Sequence, residues 1–303
     1  MSSDRGLAGI LPALVTPFTD DGSIDEPALR SLVSRLVAAG VGGLVTCGST
    51  GEFTTLSVDE RRRVTEVAVQ AAGGAVPVIA QTGALTTTEA IELSKHAEAT
   101  GVAAVMVVPP FYEPPAWGDL LDHYEAVARA IGVPVMLYNI PASSGVRMTV
   151  ERIAEVASIP GVEYMKDSSG DAIMLTQLLE EYGDRLGIFN GADTLTFFAL
   201  AAGALGGVWG AANFIPELAV RLYQLLAVEN NLEEARAVWS KIWPICHILE
   251  STNYQSAVKT ACELAGIQAG TTRAPVRLLD QEGRKGLATA LANAGVRLAA
   301  GQG

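Results

Sequence analysis

Lys166 closes the apolar run Val162-Glu163-Tyr164-Met165 and is followed at once by Asp167-Ser168-Ser169-Gly170-Asp171. Such a pattern predicts a short strand that delivers a lysine to its C-terminal end, just before the cap of a new helix. The chain has five lysines, and the other four (Lys95, Lys241, Lys259 and Lys285) fall in helical patterns, where a solvated ammonium is expected. An amine held among apolar groups loses its proton more easily and attacks a carbonyl carbon. The same position also suits a structural ion pair or a lysine that snorkels to water.

Other segments carry polar groups at the ends of apolar runs. Gly48-Ser49-Thr50-Gly51-Glu52 sets two hydroxyls and several backbone N–H groups between glycines. Either it forms a nest for a carboxylate, or it is a tight turn with a helix cap. The Gly-Lys-Ser/Thr ending of a phosphate loop is missing. Tyr138-Asn139-Ile140-Pro141 ends another run, one strand–helix unit before Lys166. On a neighbouring strand, the Tyr138 phenol would reach the amine or its substrate as a proton donor and acceptor, unless it is a satisfied core residue. Pro109-Pro110-Phe111-Tyr112-Glu113-Pro114 reads as a rigid loop presenting two aromatics, suited to packing on a partner subunit or the next loop. His96, His123 and His247 all fall in helical patterns without a His-x-x-x-His pair, so no metal is expected. Covalent catalysis through a lysine asks for no cofactor.

These groups need elements to place them. Apolar runs at 10–15, 43–47, 76–80, 103–108, 133–138, 162–166, 186–190 and 204–209 predict eight strands. Amphipathic runs between them predict helices near 25–39, 58–72, 86–100, 117–131, 149–158, 171–183 and 193–202. The strands are apolar throughout rather than alternating, as parallel strands buried on both faces are. Eight such units predict a (β/α)8 barrel over a doubly wound sheet. A Rossmann reading would want Gly-x-Gly-x-x-Gly after the first strand, and Leu14-Val15-Thr16-Pro17-Phe18 offers none. Helical patterns at 216–229, 232–249, 254–265 and 284–299 follow. The expected organisation is therefore a barrel over 1–228 that carries the site, and a helical extension over 229–303 packed upon it.

At 303 residues, one large barrel fits the length. The net charge of -12 would repel phosphate backbones, so nucleic acid is not an expected partner. The longest basic run, Arg61-Arg62-Arg63, is expected on the solvent face of one helix. Cys47, Cys246 and Cys262 are odd in number and lack a CxxC, which points to a reduced, cytoplasmic setting. The N-terminus shows no signal-peptide apolar region, and no apolar stretch of membrane-spanning length is free of charge or turn signals, so no membrane association is expected.

Taken together, the motifs resemble the dihydrodipicolinate synthase and N-acetylneuraminate lyase family of class I, Schiff-base aldolases. The resemblance runs over nearly the whole chain, from Leu14-Val15-Thr16-Pro17-Phe18 through the segments above to Gly191-Ala192-Asp193 and Gly206-Gly207-Val208. It implies that Lys166 forms an imine with pyruvate or another 2-oxo acid. It implies further that Gly48, Ser49 and Thr50 hold the carboxylate, that Tyr138 transfers protons, and that Ser49 relays them toward Tyr112 of a neighbouring subunit. A homotetramer, a dimer of dimers, is the implied assembly.

Departures from the family pattern bear on the second substrate. Synthases of the family resemble Tyr-Asn-Val-Pro followed two positions later by an arginine that grips aspartate semialdehyde, and here that position is Ser143. Without it a bidentate carboxylate anchor is lost. Sialic acid lyases carry Gly-Tyr-Asp-Glu where this chain has Gly191-Ala192-Asp193-Thr194, and a serine where it has Gly210. The reading ranked first is therefore a pyruvate-dependent aldolase or lyase acting on a 4-hydroxy-2-oxoglutarate or a 2-keto-3-deoxy sugar acid, with pyruvate and an aldehyde as partners. The synthase ranks second, alongside a sugar-acid dehydratase on the same scaffold. A 2-oxo-acid sensor is the non-enzymatic alternative. Ser143, Ser168, Gly191, Asp193 and Asn213 are expected near the substrate.

Overall fold

A computed structural model describes residues 6–299. The outermost residues of the two expected units, and the part of the signal-peptide reading that falls on residues 1–5, lie outside the described residues. Eight parallel strands are present: β1 (Gly9–Pro12), β2 (Leu44–Thr46), β3 (Val78–Gln81), β4 (Ala104–Val107), β5 (Val135–Asn139), β6 (Val162–Asp167), β7 (Gly187–Asn190) and β8 (Gly206–Trp209). They pair in the order β1-β8-β7-β6-β5-β4-β3-β2. The ring closes where Ala13 bridges Val45 and the Leu14 N–H donates to the Val45 carbonyl at 2.9 Å. Every strand residue except Glu163 is buried, which explains the unbroken apolar runs. The architecture is a (β/α)8 barrel.

Around the barrel lie α1 (Glu26–Ala38), α2 (Val58–Ala72), α3 (Thr87–Thr100), α4 (Trp117–Arg129), α5 (Pro141–Ser144), α6 (Val150–Ala157), α7 (Ala172–Tyr182), α8 (Thr196–Ala201) and α9 (Pro216–Tyr223). After them come α10 (Leu232–Ser251), α11 (Tyr254–Leu264) and α12 (Gln281–Asn293). Local chemistry sets their starts. Ser57 and Glu60 form a reciprocal capping box at α2, and Asp171 accepts from the Ile173 and Met174 N–H groups at α7, just past the Lys166 segment. The single turn α5 is not evident in the periodicity; Pro141 starts it because its fixed φ suits a first helical position and its missing N–H costs nothing there. The helix expected at 284–299 begins earlier, because Asp280 accepts from the Gly283 N–H at 2.9 Å. The pattern at 216–229 is α-helical only through Tyr223 and ends in a π turn, Gln224–Val228.

Two expectations about charged side chains are overturned. Arg62 and Arg63 do face solvent, but Arg61 is buried and donates to the Gln81 carbonyl, Gln81 Oε1 and the Gly83 carbonyl, each at 3.0 Å. Successive helical residues turn by roughly 100°, so three in a row cannot share one face. Lys259 is not a solvated helical lysine: it is completely buried, with Nζ 2.7 Å from Glu52 Oε1 and 2.7 Å from the Thr271 carbonyl it donates to. Helical periodicity cannot register a partner that the chain supplies so much earlier.

Candidate active site

Lys166 sits at the C-terminal end of β6, where barrel chemistry gathers. In the β5–β6 register Tyr138 pairs with Lys166 and Asn139 with Asp167, so each pair shares one face of the sheet. Lys166 is 5% exposed, and its Nζ lies 4.2 Å from the centroid of the Tyr138 ring. Among the described residues it has no carboxylate partner and no hydrogen bond, so the ion-pair alternative fails. The second pair acts as a clasp: Asp167 accepts from Asn139 Nδ2 at 2.8 Å, from Ser169 Oγ at 2.8 Å and from the Ser169 N–H at 3.2 Å. Burial raises the Asp167 carboxyl above its ordinary range despite these bonds.

The lysine needs room on the β7 side, and Gly191 supplies it. A Cβ there would stand 2.4 Å from Lys166 Cε and 2.3 Å from Ser168 Oγ. Ser168 Oγ donates to the Gly191 carbonyl at 2.9 Å, and the Gly191 N–H donates to the Asp167 carbonyl at 2.7 Å, so β6 and β7 end in register.

Across the cavity, the loop after β2 forms a tight turn whose Gly51 and Glu52 N–H groups donate to the Gly48 and Ser49 carbonyls. The Ser49 and Thr50 hydroxyls have no partner among the described residues, which leaves them for a ligand. Left-handed backbone at Cys47 (φ 54°) and Glu52 (φ 56°) brackets this turn, a strain that only well-determined surroundings sustain. Those surroundings are the buried Lys259–Glu52 pair, the Arg273 N–H donating to Glu52 Oε2 at 3.0 Å, and Gln255 Nε2 donating to the Ser49 carbonyl at 2.8 Å.

Lys166, Tyr138, Ser49, Thr50, Ser143, Ser168 and Gly191 all line one cavity of about 620 Å³. Gly48 is buried at the base of the turn. Asp193 and Asn213, expected near the substrate, do not line the cavity themselves and lie in the wall behind it. Asn213 is fully buried and its amide is spent on the Ala13 and Gly210 carbonyls and the Val15 N–H, tying β1 to the end of β8. Asp193 is buried behind Tyr254, whose hydroxyl donates to its Oδ2 at 2.7 Å. Tyr112 does not line its own chain's cavity; it is 90% exposed on a left-handed residue (φ 79°) of the proline-bounded loop.

Sequence reasoning missed Glu250, Asn253, Tyr254 and Gln255, which cross from α10 and α11 to complete the wall. Their only sequence signal is Lys259 on the otherwise apolar face Ala257-Val258-Ala261-Cys262 of α11. A buried cation there calls for a carboxylate partner, and the partner it finds, Glu52, places α11 over the turn at 48–52. Glu250 accepts from Thr194 Oγ1 at 2.5 Å. Among the lining residues Lys166 is the one cation and Glu250 the one carboxylate.

Fold and site together define a (β/α)8 barrel with a buried lysine, without an ion-pair partner among the described residues, set beside a phenol at the strand C-termini. The chain belongs to the dihydrodipicolinate synthetase family, whose model matches residues 6–294. It is 36% identical over 288 residues to a 4-hydroxy-tetrahydrodipicolinate synthase of Pelobacter propionicus, covering 95% of this chain and 99% of the relative. A Methanopyrus kandleri protein of the same name is 39% identical over 276 residues, covering 89% and 91%. Among solved structures, the dihydrodipicolinate synthase of Aquifex aeolicus superposes with a TM-score of 0.91 at 30% identity, covering 96% of this chain and 99% of that one. The chloride-inhibited synthase of Acinetobacter baumannii complexed with pyruvate gives 0.92 at 31%, covering 97% and 100%. The protein is thus an enzyme, a carbon–carbon lyase of the pyruvate-dependent class I aldolase type.

Proposed function

We propose that Lys166 condenses with the keto carbon of pyruvate and that the resulting enamine joins C3 of pyruvate to an aldehyde. The observation that carries this reading is Lys166 Nζ, buried, unpaired among the described residues and resting on the Tyr138 ring inside the cavity. The neutral amine adds to C2, water leaves, and the protonated imine draws electrons from C3, which gives up a proton. The enamine carbon then attacks the aldehyde carbon, whose oxygen takes a proton by way of Tyr138. Hydrolysis of the imine returns the lysine. Ser49 and Thr50 offer their hydroxyls to the pyruvate carboxylate, and Tyr112 of a second copy, in a tetramer, is suited to complete the proton path.

The relatives' names favour the reading that the sequence ranks second, condensation with aspartate semialdehyde to give the 4-hydroxy-tetrahydrodipicolinate product, over the broader lyase reading. One observation keeps the lyase as a second reading: Ser143 supplies no cation to the cavity, and Lys166 is the one cation among its lining residues. Borohydride reduction with pyruvate, followed by mass spectrometry, tests the common step. A pyruvyl adduct on Lys166 is expected, and an unmodified lysine overturns it. Turnover of aspartate semialdehyde against a panel of 4-hydroxy-2-oxo acids separates the two readings.

A further inference from the structure

Tyr254 is a second phenol in the cavity, and the scheme above does not use it. It opens α11 and is one of the residues that line the cavity, and its hydroxyl donates to Asp193 Oδ2 at 2.7 Å. Gly210 leaves the space for that hydroxyl, since a Cβ there would lie 2.3 Å from the phenolic oxygen. Gly210 follows β8 directly, so the phenol stands above the end of β8, with Gly191 at the end of β7 separating it from Lys166 on β6. Tyr138 on β5 occupies the other flank.

We propose that Asp193 and Tyr254 share a proton and thereby decide whether the cavity wall above β8 accepts or donates a hydrogen bond to the molecule held at Lys166. This makes Tyr254 a specificity-determining residue for the second substrate, and it rests on the Schiff-base reading. With Asp193 ionised, the phenol O–H is committed to Oδ2 and a lone pair faces the cavity. With Asp193 protonated, its O–H donates back to the phenolic oxygen, and the phenol O–H turns to the cavity as a donor. An aldehyde carrying a hydroxyl or ammonium suits the first state, and one carrying a carboxylate suits the second.

The groups around the pair fit this exchange. Burial, and then Glu250 on α10, push Asp193 up to about 7, against the pull of Tyr254 and of Lys166 on β6. Burial holds both Tyr254 and the neighbouring Cys246 thiol of α10 well above their ordinary values, so neither ionises in the working range.

The test compares kcat/KM for two aldehydes that do not titrate near neutrality, glycolaldehyde and glyoxylate, from pH 5.5 to 8.5, in the wild type, Asp193→Asn and Tyr254→Phe. In the wild type the glycolaldehyde-to-glyoxylate ratio is expected to rise by about fivefold to tenfold through pH 7, the size of one exchanged hydrogen bond. In both variants it should be flat. Gly210→Ala, which displaces the phenol and leaves Asp193 intact, should flatten it too. Borohydride trapping of pyruvate, run in parallel, is expected to label all four proteins, showing that the variants keep the fold and the imine. A pH-independent wild-type ratio, a ratio that keeps its slope in the variants, or turnover of neither aldehyde overturns the proposal. Failure of the wild type to form the adduct removes the Schiff-base reading instead.

Discussion

Lys259 Nζ lies 2.7 Å from Glu52 Oε1, and both side chains are shut away from water, 0% and 2% exposed, directly beneath the turn that carries Ser49 and Thr50. The ammonium also faces the Phe18 ring, 4.1 Å from its centroid. Desolvation lowers the Lys259 pKa, and Glu52 opposes that shift. The pair therefore braces that turn from behind, and neither side chain lines the cavity. Removing one charge leaves the other buried and uncompensated, which typically costs about 3–5 kcal/mol. Glu52→Gln and Lys259→Met should each lower the free energy of unfolding, obtained from urea titration, by that much, with a matching fall in the midpoint, and the double variant should recover part of the loss. Midpoints unchanged in the single variants would show the pair to be dispensable.

Gly191→Ala addresses the space beside Lys166. The added methyl meets Lys166 Cε at 2.4 Å, and the lysine must move. Displacement of a reacting group by about 1 Å can cost roughly 100-fold. Pyruvate adduct formation should slow by about that factor, while the melting temperature reports only the modest penalty of overpacking. Wild-type trapping rates in the variant would mean that the lysine is not confined as described.

Acid should loosen the staple between the C-terminal segment and the barrel. Arg273 donates to both Glu60 oxygens, to the Gly22 carbonyl at 2.7 Å and to the Thr55 carbonyl at 2.6 Å. Its hydrogen bond is the main reason that Glu60 is held down to about 2 from an ordinary 4.5. Because the folded value is the lower one, the unfolded chain binds more protons between them. The stabilisation is complete above pH 4.5 and is lost as pH falls toward 2. Arg273→Ala should flatten that stretch of the stability–pH curve, as followed by urea unfolding at successive pH values.

Ser143→Arg tests what the cavity lacks. Ser143 is exposed on the rim, in the single turn α5, where a longer side chain has room. A guanidinium there can bind a carboxylate in a bidentate manner. The variant should gain about tenfold in kcat/KM for aspartate semialdehyde, equivalent to about 1.4 kcal/mol, with pyruvate trapping unchanged. A loss for this substrate would show that Ser143 is already part of a competent second-substrate site.

Much of this molecule is legible from the chain alone, because the information is local. Unbroken apolar runs report strands buried on both faces, and Ser57, Glu60 and Asp171 announce their helices. Lys166 and Tyr138 end successive apolar runs, so a parallel sheet with short crossovers sets them side by side. The sequence by itself thus determined the barrel and the amine with its phenol. Only the tertiary structure decided what surrounds them. Glu250, Tyr254, Gln255 and Lys259 follow the last strand, and no spacing rule links them to residues near the start of the chain. Packing α10 and α11 across the mouth of the barrel puts Tyr254 in the space above Gly210, Gln255 on the Ser49 carbonyl and Lys259 on Glu52. It also turns Asp193 and Asn213 into the wall, where buried polar groups must find partners. Periodicity records which face of an element is apolar; the folded packing alone determines which distant element covers it.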